Sequence, residues 1–353
     1  MADGVHMADL DDRGNPATKS MIDPFGRAIS YLRVSITDRC NERCNYCMPQ
    51  ELQEWLPRHE ILTYEENLRL IRIAAELGVS KVRITGGEPL TRRGIVDFVR
   101  QIPEIRRITS IGLSTNGTLL AREITPGKTM AEALREAGVH SVNISLDTLD
   151  PEVYSQITGR DSHAQVLDGI NAAIAAGFDQ IKLNAVLMRG RNEDQLLPLI
   201  EFAAERNLLL RFIELMPVST TEVLNENNFI SVMEAKRLIE SAYETLIPET
   251  KFQTNGPATY YQIPGRAQRI GFIGAMTNVH FCENCNKLRL TCDGKLRPCL
   301  GSYLEFDIMG PLRAGASDEQ LKQFFLDVVE RKPREHDFRN NYQPNRKMIA
   351  IGG

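Results

Sequence analysis

AAELGVSKVRITGGEPL, residues 74–90, holds the unit from which the fold is read. An amphipathic helix ends at Leu77, Gly78 acts as a left-handed cap, and VSKVRIT follows at once as a strand. The same joint recurs at Gly138 before VHSVNIS, at Gly177 before FDQIKLN and at Asn207 before LLLRFIE. Repeated helix-to-strand joints of this kind mean parallel strands. Working outward, strands are expected at Tyr31–Ile36, Lys81–Thr85, Ser110–Ser114, Ser141–Leu146, Gln180–Met188 and Leu208–Leu215. Helical patterns fill the gaps at Tyr64–Leu77, Ile95–Gln101, Thr129–Ala137, His163–Ala176 and Asp194–Arg206, and Thr63 with Glu66 spells a capping box for the first.

Six βα units fit either a doubly wound sheet or an open, incomplete barrel. Strand polarity separates the two. A parallel sheet covered on both faces should be apolar throughout. Here Arg33 and Ser35, Arg83 and Thr85, Asn143, Ser145 and Asp147, and Lys182 and Asn184 alternate with apolar residues. At a period of two they share one face of each strand. A charged face cannot be a dry core, so it should line a lumen filled by polar ligands. The expected class is α/β: an incomplete (β/α)6 TIM-like barrel over residues 23–216, with a smaller C-terminal α+β region over 217–353. That region is read as a helix near Val232–Tyr243, short strands at Ala258–Ile263, Arg269–Ile273, Leu288–Thr291 and Lys295–Arg297, and a helix at Asp318–Glu330. Residues 1–22 read as a disordered N-terminal extension.

The 353 residues are 42% hydrophobic and 25% charged, the make-up of an ordinary globular protein. No apolar run is long enough to cross a membrane and no export signal opens the chain, so a cytoplasmic protein is expected, without a membrane partner. A net charge of −4 argues against a nucleic-acid-binding surface. Anion recognition must then come from locally placed cations: Arg33, Arg83, Lys182 and Arg211 all aim into the lumen. They suit a polyphosphate better than scattered pairing with Glu88, Asp147 and Glu214. Thr115 and Asn116, at another strand end, could serve a ribose or phosphate, or simply cap the next segment.

Seven cysteines fall in two groups. An odd count in a chain without a signal peptide argues for metal ligation rather than disulfides. Cys40, Cys44 and Cys47, spaced C-x3-C-x2-C, follow the first strand, where barrel enzymes keep their active sites. Three thiolates hold three irons of a [4Fe–4S] cluster and leave the fourth open, whereas structural zinc wants a closed set of four. Cys282, Cys285 and Cys299 form a second such group. Cys292 lies between them, so a four-cysteine zinc site is the competing reading; its place within a short strand fits a buried free thiol better.

The first cysteine group, with Tyr46 between its last two members, and Gly86-Gly87-Glu88-Pro89 one strand away resemble the radical S-adenosylmethionine (SAM) superfamily. Within it, LRVSITDRCNERCNYC, VRITGGEPL, STNGTLL, VNISLDTL, RFIELMPV, the C-x2-C-x13-C group with NKLRLT and the terminal Gly352-Gly353 resemble the GTP 3′,8-cyclase family of molybdenum cofactor biosynthesis. The resemblance spans residues 23–353. It implies two [4Fe–4S] clusters on the two cysteine groups, with SAM contacts from Tyr46, Gly87, Ser145 and Met216. It implies GTP contacts from Arg33, Arg83, Thr115, Lys182, Lys287, Leu288 and Arg289. By the same resemblance, a 5′-deoxyadenosyl radical would take the C3′ hydrogen of GTP, after which C3′ bonds to C8. No catalytic side chain beyond these ligands is implied. A flavodoxin- or ferredoxin-like electron donor, a downstream cyclic pyranopterin monophosphate synthase and a monomer or homodimer complete the expectation. A peptide-modifying radical enzyme and a zinc-stabilised scaffold are the alternatives.

Overall fold

The computed structural model describes residues 20–48, 54–219, 224–225, 227–254, 256–340 and 342–352. Its strands, in chain order, are β1 (Tyr31–Ser35), β2 (Lys81–Thr85), β3 (Ser110–Thr115), β4 (Glu123–Thr125), β5 (Lys128–Thr129), β6 (Ser141–Ser145) and β7 (Gln180–Leu187). They continue with β8 (Leu209–Glu214), β9 (Ile247–Pro248), β10 (Thr259–Gln262), β11 (Arg269–Ile273), β12 (Lys287–Leu290), β13 (Lys295–Arg297) and β14 (Phe306–Asp307). β4 and β5 form a separate ribbon.

The expected strands and helices form within a residue or two of their expected bounds. Gly78, Gly138, Gly177 and Asn207 all have positive φ, 105°, 102°, 69° and 52°, as the four joints require. Thr63 and Glu66 close their capping box. Pro151–Thr158 adds a helix that the sequence reading left out, opened by Asp150 as its cap with Pro151 at the first position.

All other strands make one open sheet, ordered β14-β13-β12-β1-β2-β3-β6-β7-β8-β11-β10-β9. The six expected barrel strands pair in parallel and in sequence. The C-terminal strands, expected as an appendage, instead extend this sheet at both edges: β12 joins β1 and β11 joins β8, each in parallel. Residues 274–286, which join these two outer parallel strands, carry Cys282 and Cys285. Hydrophobic period could locate the late strands but not name their partners, because any exposed strand edge offers the same amide ladder.

Leu32, Val34, Val82, Ile84, Leu113, Val142, Ile144, Leu183, Leu210 and Phe212 are almost wholly buried on the helix-covered face. Each such side chain contributes about 1.5–3 kcal/mol on burial. This apolar set fixes register, since a one-residue slip would turn Arg33 and Arg83 into the core. At the N-terminal end, Met21 is 1% exposed and its amide donates to the Leu77 carbonyl at 3.1 Å. Packing therefore begins at Met21 rather than after residue 22; residues 1–19 of the expected extension lie outside the described residues.

Candidate active site

One cavity of about 1050 Å³ opens on the polar face of the sheet. All six cysteines of the two groups line it, Cys40, Cys44 and Cys47 on one side and Cys282, Cys285 and Cys299 on the other. Cys292 is fully buried and is not among the lining residues. Among the described residues no His, Cys, Asp or Glu trio is gathered tightly enough to grip a single ion. Each group brings three cysteine thiols to the cavity wall, a donor set that fits a [4Fe–4S] cluster with one iron open.

The first cysteine loop is pinned to the helix Pro151–Thr158: the amides of Arg43 and Asn45 donate to the carbonyls of Thr158 and Ile157 at 2.7 and 2.9 Å. Glu42, inside the loop, accepts from Tyr154 and from Ser162. Burial pushes the Cys47 thiol up to about 12. Burial raises Cys40 and Cys44 too, helped by Glu88 and Glu42 respectively. In the second group burial lifts Cys299 to about 11, while at Cys285 it is outweighed by Lys332 and Lys287, which draw that thiol down. A bound cation that stabilises thiolates would therefore displace protons at most of these sites.

The Gly86-Gly87-Glu88-Pro89 turn packs on the loop entering the first cysteine group. The amides of Gly87 and Glu88 donate to Thr37 and Arg39 carbonyls, each at 2.8 Å. A Cβ at Gly87 would lie 2.5 Å from the Arg39 oxygen, and one at Gly86 2.6 Å from that of Thr37. The glycines thus serve close backbone packing first. Gly87, Tyr46, Ser145 and Met216 all line the cavity on this side, and Tyr46 donates to Asp147 at 2.8 Å.

The cations meet as the period-two reading requires. Arg289, Arg33 and Arg83 stand in register on β12, β1 and β2. Lys182, Arg211 and Lys287 line the same cavity. Glu88, Asp147 and Glu214, expected as rival partners, are engaged otherwise. Glu88 accepts from the Leu90 and Asn116 amides and the Thr115 hydroxyl. Asp147 accepts from Val186 and Tyr46, and Glu214 from the amides of Val232, Met276 and Thr277. Burial, with help from Arg211 and Arg83, pushes the Lys182 ammonium down to about 6. Burial likewise lowers Arg211 to about 10 and, with Arg33, Arg289 to about 9. Arg289, Arg33 and Arg83 thus stand side by side as like charges, half-buried or buried, an arrangement whose mutual repulsion an anion would offset.

Thr115 lines the cavity, yet its proton goes to Glu88 at 2.9 Å. Leu288 is fully buried on the opposite face of β12 from Lys287 and Arg289. Alternation along the strand leaves only its main chain for any ligand contact. Lys81 and Tyr31 also line the cavity and were passed over in the sequence. Each precedes a noted arginine by two residues, so carrying the alternation one step back would have found both. The tail reaches the site as well: Met348 and Ile349 line the cavity, and Arg289 donates to the Gly352 carbonyl at 2.7 Å. Gly353 lies outside the described residues.

Residues 34–203 match the Radical SAM superfamily and residues 208–338 match Molybdenum Cofactor Synthesis C. A GTP 3′,8-cyclase of Moorella thermoacetica is 45% identical over 94% of this chain and 100% of its own length. Another, of Thermodesulfovibrio yellowstonii, is 44% identical over 94% of this chain and 100% of its own. Among solved structures, Streptococcus suis SuiB bound to S-adenosylmethionine aligns with a TM-score of 0.60 at 17% identity, covering 92% of this chain and 72% of SuiB. Native anSMEcpe with bound AdoMet aligns at 0.57 and 15% identity, covering 87% of this chain and 82% of that one. At such low identity these two likenesses speak for the fold alone.

Proposed function

The chain belongs to the GTP 3′,8-cyclases of the radical SAM superfamily, and from that membership we propose how its own residues carry the reaction. The enzyme is a radical SAM lyase of molybdenum cofactor biosynthesis, with SAM, iron–sulfur clusters and GTP as its cofactors and substrate. In our assignment Cys40, Cys44 and Cys47 hold one [4Fe–4S] cluster, and Cys282, Cys285 and Cys299 hold the other. When bound, the first cluster would supply the electron that splits SAM into methionine and a 5′-deoxyadenosyl radical; that radical would take the C3′ hydrogen of GTP, C3′ would bond to C8, and one further electron from the reductant with a proton would give 3′,8-cyclo-7,8-dihydro-GTP.

The protein's part is placement. Tyr46, steadied by Asp147, takes up SAM together with Gly87, Ser145 and Met216. Arg33, Arg83, Lys182, Lys287 and Arg289 receive the triphosphate, with Thr115 at the wall beside them and Leu288 contributing through its main chain. Holding a substrate at two ends removes the freedom that would otherwise scatter C3′ away from the radical. The tail, through Met348 and Ile349, and residues 248–250, 252–254 and 256–261 line the cavity and would displace water from it once the ligands are bound.

The observation that carries this reading is the in-register row Arg289, Arg33 and Arg83, in one cavity with both cysteine groups. A purely peptide-modifying enzyme has no need of it. Around the site we propose a flavodoxin- or ferredoxin-like reductant, delivery of product to a cyclic pyranopterin monophosphate synthase, and a monomeric or homodimeric enzyme of the cytoplasm. No helix among the described residues is long and apolar enough to cross a membrane. We also propose that residues 23–216 handle SAM while residues 217–353 handle the base. The test is anaerobic turnover with GTP deuterated at C3′. Deuterium in 5′-deoxyadenosine is expected; none, from protein holding both clusters, would overturn GTP cyclisation.

A further inference from the structure

Tyr31 is 4% exposed and stands at the start of β1, two residues before Arg33 on the same face. Arg83 lies diagonally across on β2, within reach of an aromatic side chain. Its Nε donates to the Tyr31 oxygen at 2.5 Å, Nη1 to the Leu113 carbonyl at 2.7 Å and Nη2 to Ser141 at 3.1 Å. Three protein acceptors thus hold one guanidinium on three of its five donors, and the two remaining N–H groups are fixed in direction. Gly112 makes the berth: a Cβ there would lie 2.5 Å from Arg83 Nη2.

On its other side the Tyr31 ring faces Lys287, whose Nζ lies 5.7 Å from the ring centroid. Arg33 is within hydrogen-bonding reach of the same phenol. One side chain therefore touches cations from β1, β2 and β12, three neighbouring strands. Burial works against ionising this phenol, yet Arg83, Arg33 and Lys287 together bring it down to about 8.

We infer that Tyr31 is a positioning residue for substrate: its oxygen orients Arg83 within the Arg289–Arg33–Arg83 row so that the row meets the phosphates of GTP. Without that acceptor a buried arginine beside like charges swings to another partner, and the spacing of the row is lost. The inference rests on the GTP reading above.

Tyr31→Phe keeps the ring against Lys287 and removes the oxygen that Arg83 uses. In reconstituted holoenzyme with SAM, the KM for GTP should rise about tenfold while kcat at saturation falls less than twofold. Equilibrium binding of GTP should weaken by the same factor, and binding of guanosine, which has no phosphate, should stay within twofold. Arg83→Ala supplies the second arm: if Tyr31 acts through Arg83, adding Tyr31→Phe to it costs nothing further. Equal losses for GTP and guanosine, or additive losses in the double variant, would overturn the inference. Wild-type enzyme run in parallel separates the two readings: if it binds no GTP, the substrate assignment fails first. If it binds GTP and Tyr31→Phe binds it equally, only the role of Tyr31 fails.

Discussion

Arg289 donates from Nη1 to the Gly352 carbonyl oxygen at 2.7 Å, so a single guanidinium joins the cation row to the chain's C-terminal tail. Gly352 has φ +83°, and a Cβ there would lie 2.6 Å from Thr85 Cγ2 and 3.1 Å from Ser35 Cβ. Both the left-handed backbone and the narrow space exclude a side chain. Gly352→Ala should therefore lift the tail from the cavity, lowering GTP cyclisation at least tenfold while iron per chain stays unchanged. Product formation alongside an iron assay checks this, and wild-type turnover would remove the tail from the site.

Gly112→Ala tests the same row without touching a charge. The added methyl meets the Arg83 guanidinium, the far end of a flexible side chain, so the fold can yield while the cation moves. GTP affinity should fall about tenfold, approaching the loss from Arg83→Ala, with a melting temperature within a few degrees of wild type. Unaltered GTP binding in both variants would mean that Arg83 does not meet the substrate.

A proton should accompany GTP onto the enzyme. With its ammonium lowered to about 6, Lys182 is mostly a neutral amine at pH 7.5 before the polyanion arrives. Phosphates beside it favour the charged form and raise its pKa, so binding takes up a proton wherever the pH lies between the free and bound values. Affinity then falls as pH climbs above 6, by at most about tenfold per unit. Calorimetry in two buffers of different ionisation enthalpy should give roughly one more proton for wild type than for Lys182→Met. Equal proton counts would place Lys182 away from the phosphates.

Most of this was legible in the chain because the physics involved is local. Gly78 and Asn207 mark their own joints, and Arg33 and Arg83 give away a polar lumen through a period of two. Two features were not legible. Pairing of β12 with β1, and of β11 with β8, is a tertiary choice that no period encodes. The engagement of Glu88 by Leu90, Asn116 and Thr115 depends on how a turn meets a distant strand. Spacing made Glu88 a plausible counter-ion for the arginines; backbone amides had taken it first.

Cys292 and Cys299 separate the cluster reading from the zinc reading. Cys292 is fully buried, and its carbonyl accepts from the Leu62 amide at 2.8 Å, which anchors the end of β12 beneath the tail. Cys299 lines the cavity with Cys282 and Cys285. If three thiolates hold a cluster with one open iron, Cys292→Ala leaves iron and sulfide stoichiometry at the wild-type level and costs about 1 kcal/mol of packing. Cys299→Ala, by contrast, should roughly halve the iron, since one cluster of two loses one of its three thiolates. The electron paramagnetic resonance signal of the first cluster should survive in both. A four-cysteine site makes the opposite demand: both variants would lose the same metal equally. Equal losses would return Cys292 to the ligand set and remove the open iron from the second site.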